Sequence, residues 1–310
     1  MSQLKGYELS RKLYEEYGKE MIHSQFPDWE DRIAVGFAGH GSECFGFDDE
    51  LSEDHDYAPG FSMWLADEDY AMIGKKLERA YLTLPLPVPA EESKGGSSAS
   101  GVFRTSEFYS RYTGSKTLPD SWEQWLSIPS WALAEATNGW VYRDDLGTFS
   151  EWREQLLHGM PEDVRLKKMA ARVFTMAQAG QYNYSRCLSH GEPGAAMLAL
   201  GEFVPAAIEL IFLLNKRHMP YYKWSFRAME DLPLLSDMKD ALEFLLIGEN
   251  DQSGIDTKKA VIEDICWNVK EELVRQHLTH GDWDYLEPHA YEIMEHISDP
   301  AIRSLNISEG

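Results

Sequence analysis

Cysteine is scarce in this chain. Cys44, Cys187 and Cys266 are widely spaced, odd in number and lack any C-x-x-C pair, so neither a disulfide framework nor a zinc knuckle is indicated, and a reducing cytoplasm fits. Basic residues are also in deficit, with 29 Lys and Arg against 52 Asp and Glu and a formal charge of -23. A surface of that sign repels phosphate backbones, which disfavours bulk nucleic-acid binding while leaving room for a local basic patch. Most of the acidic excess reads as solvated surface that serves solubility, and a smaller share would favour a cationic acceptor. Uninterrupted apolar runs are missing too. The most apolar stretch, 194–214, is broken by Glu202, Pro205 and Glu209, and the N-terminus MSQLKGYELSRKLYEEYGKE has no apolar h-region. The expectation is a soluble cytoplasmic protein without a membrane span or a signal peptide, and the sequence leaves its oligomeric state open.

What is abundant is large apolar surface: 10 Trp, 15 Tyr and 13 Phe in 310 residues, which rules out wholesale disorder and suffices for two domains. Residues 3–24 place Leu9, Leu13, Tyr14, Tyr17 and Met21 at spacings of three and four, the pattern of an amphipathic helix. After Pro27, residues 33–38 read as a short buried strand that runs into the turn Gly39-His40-Gly41-Ser42. Residues 56–65 read as extended, 67–82 as helical, and LPLPVPAEESKGGSSASG as an exposed loop. A strand at 102–105, a short helix at 107–112, helical residues 120–137 interrupted at Pro129, and a last strand at 140–142 complete an α/β region ending near residue 150. Beyond it the pattern is helical, near 151–157, 162–189, 194–218, 236–248, 256–279 and 285–297. The expected fold is therefore α+β: an α/β domain with a mixed sheet over 1–150, then an all-α helical bundle over 151–310.

The chemistry-bearing constellation is Gly41-Ser42, eleven residues, then Asp54-His55-Asp56. Glycine lets the backbone approach a triphosphate, while neighbouring amides and the Ser42 hydroxyl donate to phosphate oxygens. Asp54 and Asp56, two apart on a strand, share a face, and paired carboxylates of that kind hold magnesium against a polyphosphate.

The segment GHGSECFGFDDELSEDHD resembles the nucleotidyltransferase superfamily similar to DNA polymerase beta, whose hallmark is Gly-Ser, a spacer of this length and Asp-x-Asp. Through GSECFGFDDELSEDHD, FRTSEFYSRYTG, NGWVYRDDLGTFSEWR and LLNKRHMPYYKW, roughly residues 30–230 resemble a bacterial family of nucleotidyltransferase-like domains of unknown function. The resemblance implies a minimal nucleotidyltransferase domain with a helical C-terminal domain, as in kanamycin-type enzymes. It carries Gly41 and Ser42 onto the phosphate-binding turn and Asp54 and Asp56 onto the magnesium-binding carboxylates. The implied activity moves a nucleoside monophosphate from an NTP such as ATP to an acceptor hydroxyl, a small molecule being favoured, with release of pyrophosphate. Such enzymes add a third carboxylate on a later strand, where this chain offers Arg104 and Thr105. Glu107, Asp144 and Asp145 are the substitutes; without one of them the base comes from the helical domain, or the protein is a nucleotide-binding sensor without turnover. Nucleotidylation of transfer RNA or of a protein is a further alternative.

Weaker signals stand beside these. Glu202 and Glu209, seven apart on one helix, suit either a cleft or a solvated edge. Lys223, in the aromatic run after Asn215-Lys216-Arg217, suits either a triphosphate contact or a snorkelling cation at a helix end. His40, His55 and the group His277, His280 and Asp282 are left out of the metal set, because magnesium prefers oxygen and the latter group has no further soft ligand.

Overall fold

The computed structural model describes residues 5–49, 60–86 and 100–310, so Asp54, His55 and Asp56 lie outside the described residues. The chain divides into two compact units: Met1–Pro119 with Ala132–Gly159, and Asp120–Trp131 with Met160–Gly310. The sequence pattern placed a single boundary at 150, whereas the helix Thr148–His158 packs with the first unit and residues 120–131 with the second. The interruption expected at Pro129 is where helix Trp122–Ser127 ends and helix Ser130–Thr137 begins, next to the crossing between units.

The first unit is built on a four-stranded mixed sheet in the order β3-β2-β1-β4, where β1 is Ala34–Phe37, β2 Ser62–Leu65, β3 Gly101–Arg104 and β4 Trp140–Arg143. β1 runs antiparallel to β2 and β4, and β2 runs parallel to β3. Gly36 faces Ser62, Phe37 faces Trp140, and Ser62 faces Gly101. The other three strands therefore all begin at the sheet end where β1 stops.

β1 and β2 are buried at every position, because both faces of the sheet are covered. On one face Val35, Met63, Leu65 and Val102 join a core with Leu13, Tyr14, Ile22, Leu77 and Tyr81. These come from the helical stretch 6–25, which has a π turn at Tyr14–Gly18, and from the helix Lys75–Leu82. On the other face Trp64 stacks on Phe149 at 3.9 Å between centroids and meets Phe108 edge-on at 5.4 Å. Gly36 makes room for it: a Cβ there would stand 2.3 Å from the Trp140 carbonyl oxygen and 3.0 Å from the Trp64 ring. At the sheet's other end Asp69, 7% exposed, receives two bonds from Arg32, at 2.7 and 2.9 Å.

The second unit consists of helices and connections, with Glu162–Met176, Pro193–Leu214, Gln252–Arg275 and Glu287–Glu295 the largest, which agrees with the helical periodicity. Pro193–Leu214 is long and apolar enough to cross a membrane by length and composition, with mean hydropathy 2.0, but 61% of that window is buried inside the protein. It serves as the unit's core helix, with Phe203, Val204, Ala207, Ile208, Leu210 and Ile211 all buried. Glu202 and Pro205 sit on its exposed side, while Glu209 is drawn in against Arg172 at 3.4 Å.

Phe149 is fully buried and touches three aromatic rings. We predict that Phe149→Ala costs about 3–5 kcal/mol in the unfolding transition of the first unit, as expected for deleting a buried aromatic. Urea titration followed by intrinsic fluorescence measures it, and a loss well under 1 kcal/mol would contradict the packing described.

Candidate functional site

The turn Gly39-His40-Gly41-Ser42 leaves β1 at the end of the sheet where β2, β3 and β4 begin. Gly41 has φ 119° and ψ 149°, a conformation that favours glycine, and a Cβ there would stand 2.7 Å from a Glu43 carboxylate oxygen. Ser42 opens a one-turn helix, Ser42–Phe45, and is buried to 8% exposure. Its hydroxyl lies 3.5 Å from Glu43 Oε2.

The turn is held from the start of β4. Asn138 spans the Gly39 peptide groups: its Oδ1 accepts from Gly39 N at 2.8 Å and its Nδ2 donates to Gly39 O at 2.7 Å. A single side-chain amide thereby satisfies both the donor and the acceptor of Gly39, substituting for a strand partner where the ladder ends. Arg153, from Thr148–His158, donates to the carbonyls of Asn138 and Gly139 at 3.4 and 3.3 Å. Its Nε is buried without a hydrogen-bond partner among the described residues.

Glu135 is 6% exposed, and its Oε1 lies 3.1 Å from His40 Nδ1. Tyr112 comes up from the helix Thr105–Thr113 with its hydroxyl toward Gly39 and hydrogen-bonded to the backbone of His40. Burial raises that hydroxyl's pKa, so the phenol stays protonated and can donate. Burial likewise pushes the Cys44 thiol up, which argues against a thiolate nucleophile there. Glu43 and Glu135 thus put carboxylates beside the turn, while Arg153 donates to the backbone that follows Thr137 and Lys5 donates to the Gly46 carbonyl oxygen at 2.7 Å.

Of the residues expected to carry chemistry, the structure brings together Gly41 and Ser42. Glu107 stands in the first turn of Thr105–Thr113, where Lys116 holds its carboxylate at 2.9 Å and Arg104 approaches to 3.7 Å; the side chains this helix presents to the turn are Phe108 and Tyr112. The strand alignment behind that choice is corrected by register. Leu65 faces Arg104 and Ser62 faces Gly101, so Arg104 and Thr105 lie about 10 Å along the strand from the end that holds the turn. Asp144 accepts from Ser150 N at 2.7 Å and Asp145 is paired with Arg143, so both serve local structure. Lys223 belongs to the second unit, in helix Tyr222–Met229, where its ammonium stands 4.9 Å from the Trp224 ring centroid.

Comparison with known proteins gives one family match and one distant structural likeness. Residues 125–225 match a family model described as a domain of unknown function (DUF4037). No curated protein matches the chain. Among solved structures, a nucleotidyltransferase-like protein from Exiguobacterium sibiricum 255-15 aligns over 91% of this chain and 81% of its own, at 12% identity and a TM-score of 0.37. That likeness is distant.

Asn138, Glu135 and Arg153 escaped the sequence reading. Asn138-Gly139 is a turn dipeptide in the run NGWVYRDDLGTFSEWR, but its amide's partner lies 99 residues away. We predict that Asn138→Ala destabilises the first unit by about 1–3 kcal/mol, because both Gly39 groups lose their partner. Asn138→Asp, which keeps the acceptor and loses the donor, should fall between wild type and Asn138→Ala in the same urea titration. Equal stability of all three would remove the clamp from the account.

Proposed function

We propose that the first unit binds a nucleoside triphosphate and transfers its nucleoside monophosphate to an acceptor hydroxyl, with release of pyrophosphate. The observation that carries the reading is the antiparallel register of β1 and β2, in which Gly36 opposite Ser62 puts Gly39–Ser42 and the Gly60-Phe61 approach to β2 at one end of the sheet. The reading needs this end of the sheet: its glycine turn ends one strand, and Asp54 and Asp56, expected on the extended stretch that leads into β2, lie outside the described residues and come before Gly60 in the chain. Asp54 and Asp56 supply hard oxygen donors, which suit magnesium. The described residues by themselves assemble no group of three or more His, Cys, Asp or Glu able to hold a metal. The ion would therefore rest on Asp54 and Asp56, and it would neutralise phosphate charge and orient the polyphosphate.

The chain's own groups have distinct tasks in this reading. Gly41 admits phosphate oxygens to the backbone, and the Ser42 hydroxyl, freed from Glu43, donates to them. Asn138 keeps the turn in shape by tying down Gly39. Arg153, one residue removed from the turn through Asn138, contributes positive charge to a rim otherwise acidic through Glu43 and Glu135. Glu135, buried and beside His40, is the carboxylate at this end of the sheet in place to accept the acceptor's proton, a role for which Glu107 is held elsewhere.

A second reading, a nucleotide-binding sensor without turnover, is favoured by one feature. β3 carries no carboxylate: it offers Gly101 and Val102 at the turn end, then Phe103 and Arg104.

The test is calorimetric and chemical. Wild type should bind ATP or another nucleoside triphosphate only with magnesium, and should release pyrophosphate when a labelled triphosphate is incubated with cell extract. Asp56→Ala should lower transfer by about a hundredfold or more, since metal stabilisation of developing charge is worth several kcal/mol and about 1.4 kcal/mol is tenfold in rate. Binding without pyrophosphate against every extract fraction would establish the sensor. Absence of magnesium-dependent binding, with Asp56→Ala unchanged, would defeat both readings.

A further inference from the structure

Asn138-Gly139 is the one Asn-Gly pair in the chain; Asn183, Asn215, Asn250, Asn268 and Asn306 precede Tyr, Lys, Asp, Val and Ile. An asparagine side chain is attacked most readily by the backbone nitrogen that follows it when that nitrogen belongs to glycine, because no Cβ obstructs the approach. The Gly139 nitrogen bonds to Cγ of Asn138, the bond from Cγ to Nδ2 breaks, and ammonia leaves with the proton to give a cyclic imide. Water then opens the ring at the side-chain carbonyl, giving aspartate, or at the main-chain carbonyl, giving isoaspartate. Water is the only co-reactant, and both residues are partly open to it.

The fold demands this pair. Gly139 has φ 72°, and a Cβ there would stand 2.1 Å from the Phe37 carbonyl oxygen and 2.8 Å from Ala38 Cα, so backbone shuts out any side chain. Asn138 both accepts from Gly39 N and donates to Gly39 O, at 2.8 and 2.7 Å, which an ionised aspartate cannot do. The clamp on the glycine turn and the close approach of β4 to β1 thus bring the labile dipeptide together. The same two bonds guard it. With the amide pinned on Gly39, Cγ cannot turn back onto the Gly139 nitrogen, and Arg153 steadies the carbonyls of both residues, at 3.4 and 3.3 Å.

We propose that Asn138 is a site of spontaneous deamidation, gated by the opening of its own clamp on Gly39, and that the reaction releases the glycine turn for good. The products cannot restore the clamp. Aspartate lacks the donor that Gly39 O requires and adds a negative charge to a turn that already has Glu43 and Glu135 beside it. Isoaspartate lengthens the main chain by one methylene immediately before Trp140, which faces Phe37 across the sheet. Either change loosens the backbone that presents Gly41 and Ser42. The inference rests on the clamp alone and holds whatever chemistry the first unit performs.

The experiment incubates the full wild-type chain at mildly alkaline pH, one sample native and one unfolded in urea. The amide-to-acid mass change at residue 138 is followed by peptide mapping after digestion in acid. In urea, Asn138 should convert ahead of every other asparagine. In the native chain it should convert roughly ten to a hundred times more slowly, the closed-to-open ratio expected of two net hydrogen bonds. Hydrogen exchange at the Gly39 amide, read by magnetic resonance, should be slowed by a similar factor, since both events wait on the same opening. The converted fraction, separated by its added charge, should unfold at a lower urea concentration than fresh chain. The proposal is overturned if native and unfolded chains convert equally fast, or if the native chain shows no conversion after about a hundred half-times of the unfolded one. It is overturned equally if another asparagine converts first, if Gly39 exchanges as freely as an unfolded amide, or if converted and fresh chains unfold alike.

Discussion

The fit of Trp64 against Gly36 governs the first unit. Trp64 is fully buried between Phe149 and Phe108, and its ring occupies the space that a side chain on Gly36 would need. Sliding β2 by one residue along β1 would turn Trp64 to the opposite face, into the core built on Val35 and Met63. That face is already filled by Leu77, Tyr81 and Ile22, so the slip would cost both packing and cavity. Everything at the functional end of the sheet inherits this register. With Gly36 opposite Ser62 and Phe37 opposite Trp140, the glycine turn, the approach to β2 and the Asn138 clamp converge by geometry, with no further interaction needed to bring them together.

Much of this was legible in the sequence. The strands at 33–38, 102–105 and 140–142 appear at Ala34–Phe37, Gly101–Arg104 and Trp140–Arg143. The first and last were short runs closed by turn residues, and 102–105 resumed after a Pro-, Gly- and Ser-rich loop, boundaries that local pattern reports well. The helices past residue 160 were visible for the same reason: periodicity is a local signal. Three things were hidden, and all are non-local. Strand pairing is not written in any one strand, so only the parallel register of β2 and β3 shows that Arg104 stands opposite Leu65, away from the sheet end that holds the turn. The bond between Asn138 and Gly39 joins residues 99 apart, and neither neighbourhood advertises it. The division between units also follows packing instead of local pattern, since 120–137 reads as one helical stretch interrupted at Pro129, yet 120–131 pack with the second unit and 132–137 with the first.

Net charge proved to be a poor guide to sites in this chain, for a reason that holds separately in each unit. A formal charge of -23 averages over a surface where most carboxylates are solvated and screened beyond about 8–10 Å at physiological salt. What a ligand meets is the handful of groups within that distance. Around the glycine turn and its one-turn helix these include Glu43, Glu135, Asp48 and His40, with Arg153 on the backbone that clamps the turn and Lys5 on the Gly46 carbonyl oxygen. Under the proposed reading, a divalent cation on Asp54 and Asp56 would offset the charge of Glu43 and Glu135 toward a polyphosphate.

In the second unit the balance is inverted at one place. Lys168 and Arg172 share a helix face with a single carboxylate opposite, Glu209, which the sequence presented as half of an acidic pair with Glu202. The pair is split by the packing of its helix: Glu202 faces solvent, while Glu209, two turns on, meets Arg172 because the intervening Phe203, Val204, Ala206, Ala207 and Ile208 are buried. Glu209 faces one cation, and the chain's own backbone takes up donors of both, Lys168 on the Ile128 carbonyl oxygen and Arg172 on Gly310. The same helix also buries Arg165 and Lys167, which donate to the carbonyl oxygens of Leu213 and Ile307 at 3.1 and 3.2 Å, so buried cations that tie the helix to neighbouring backbone recur along its length.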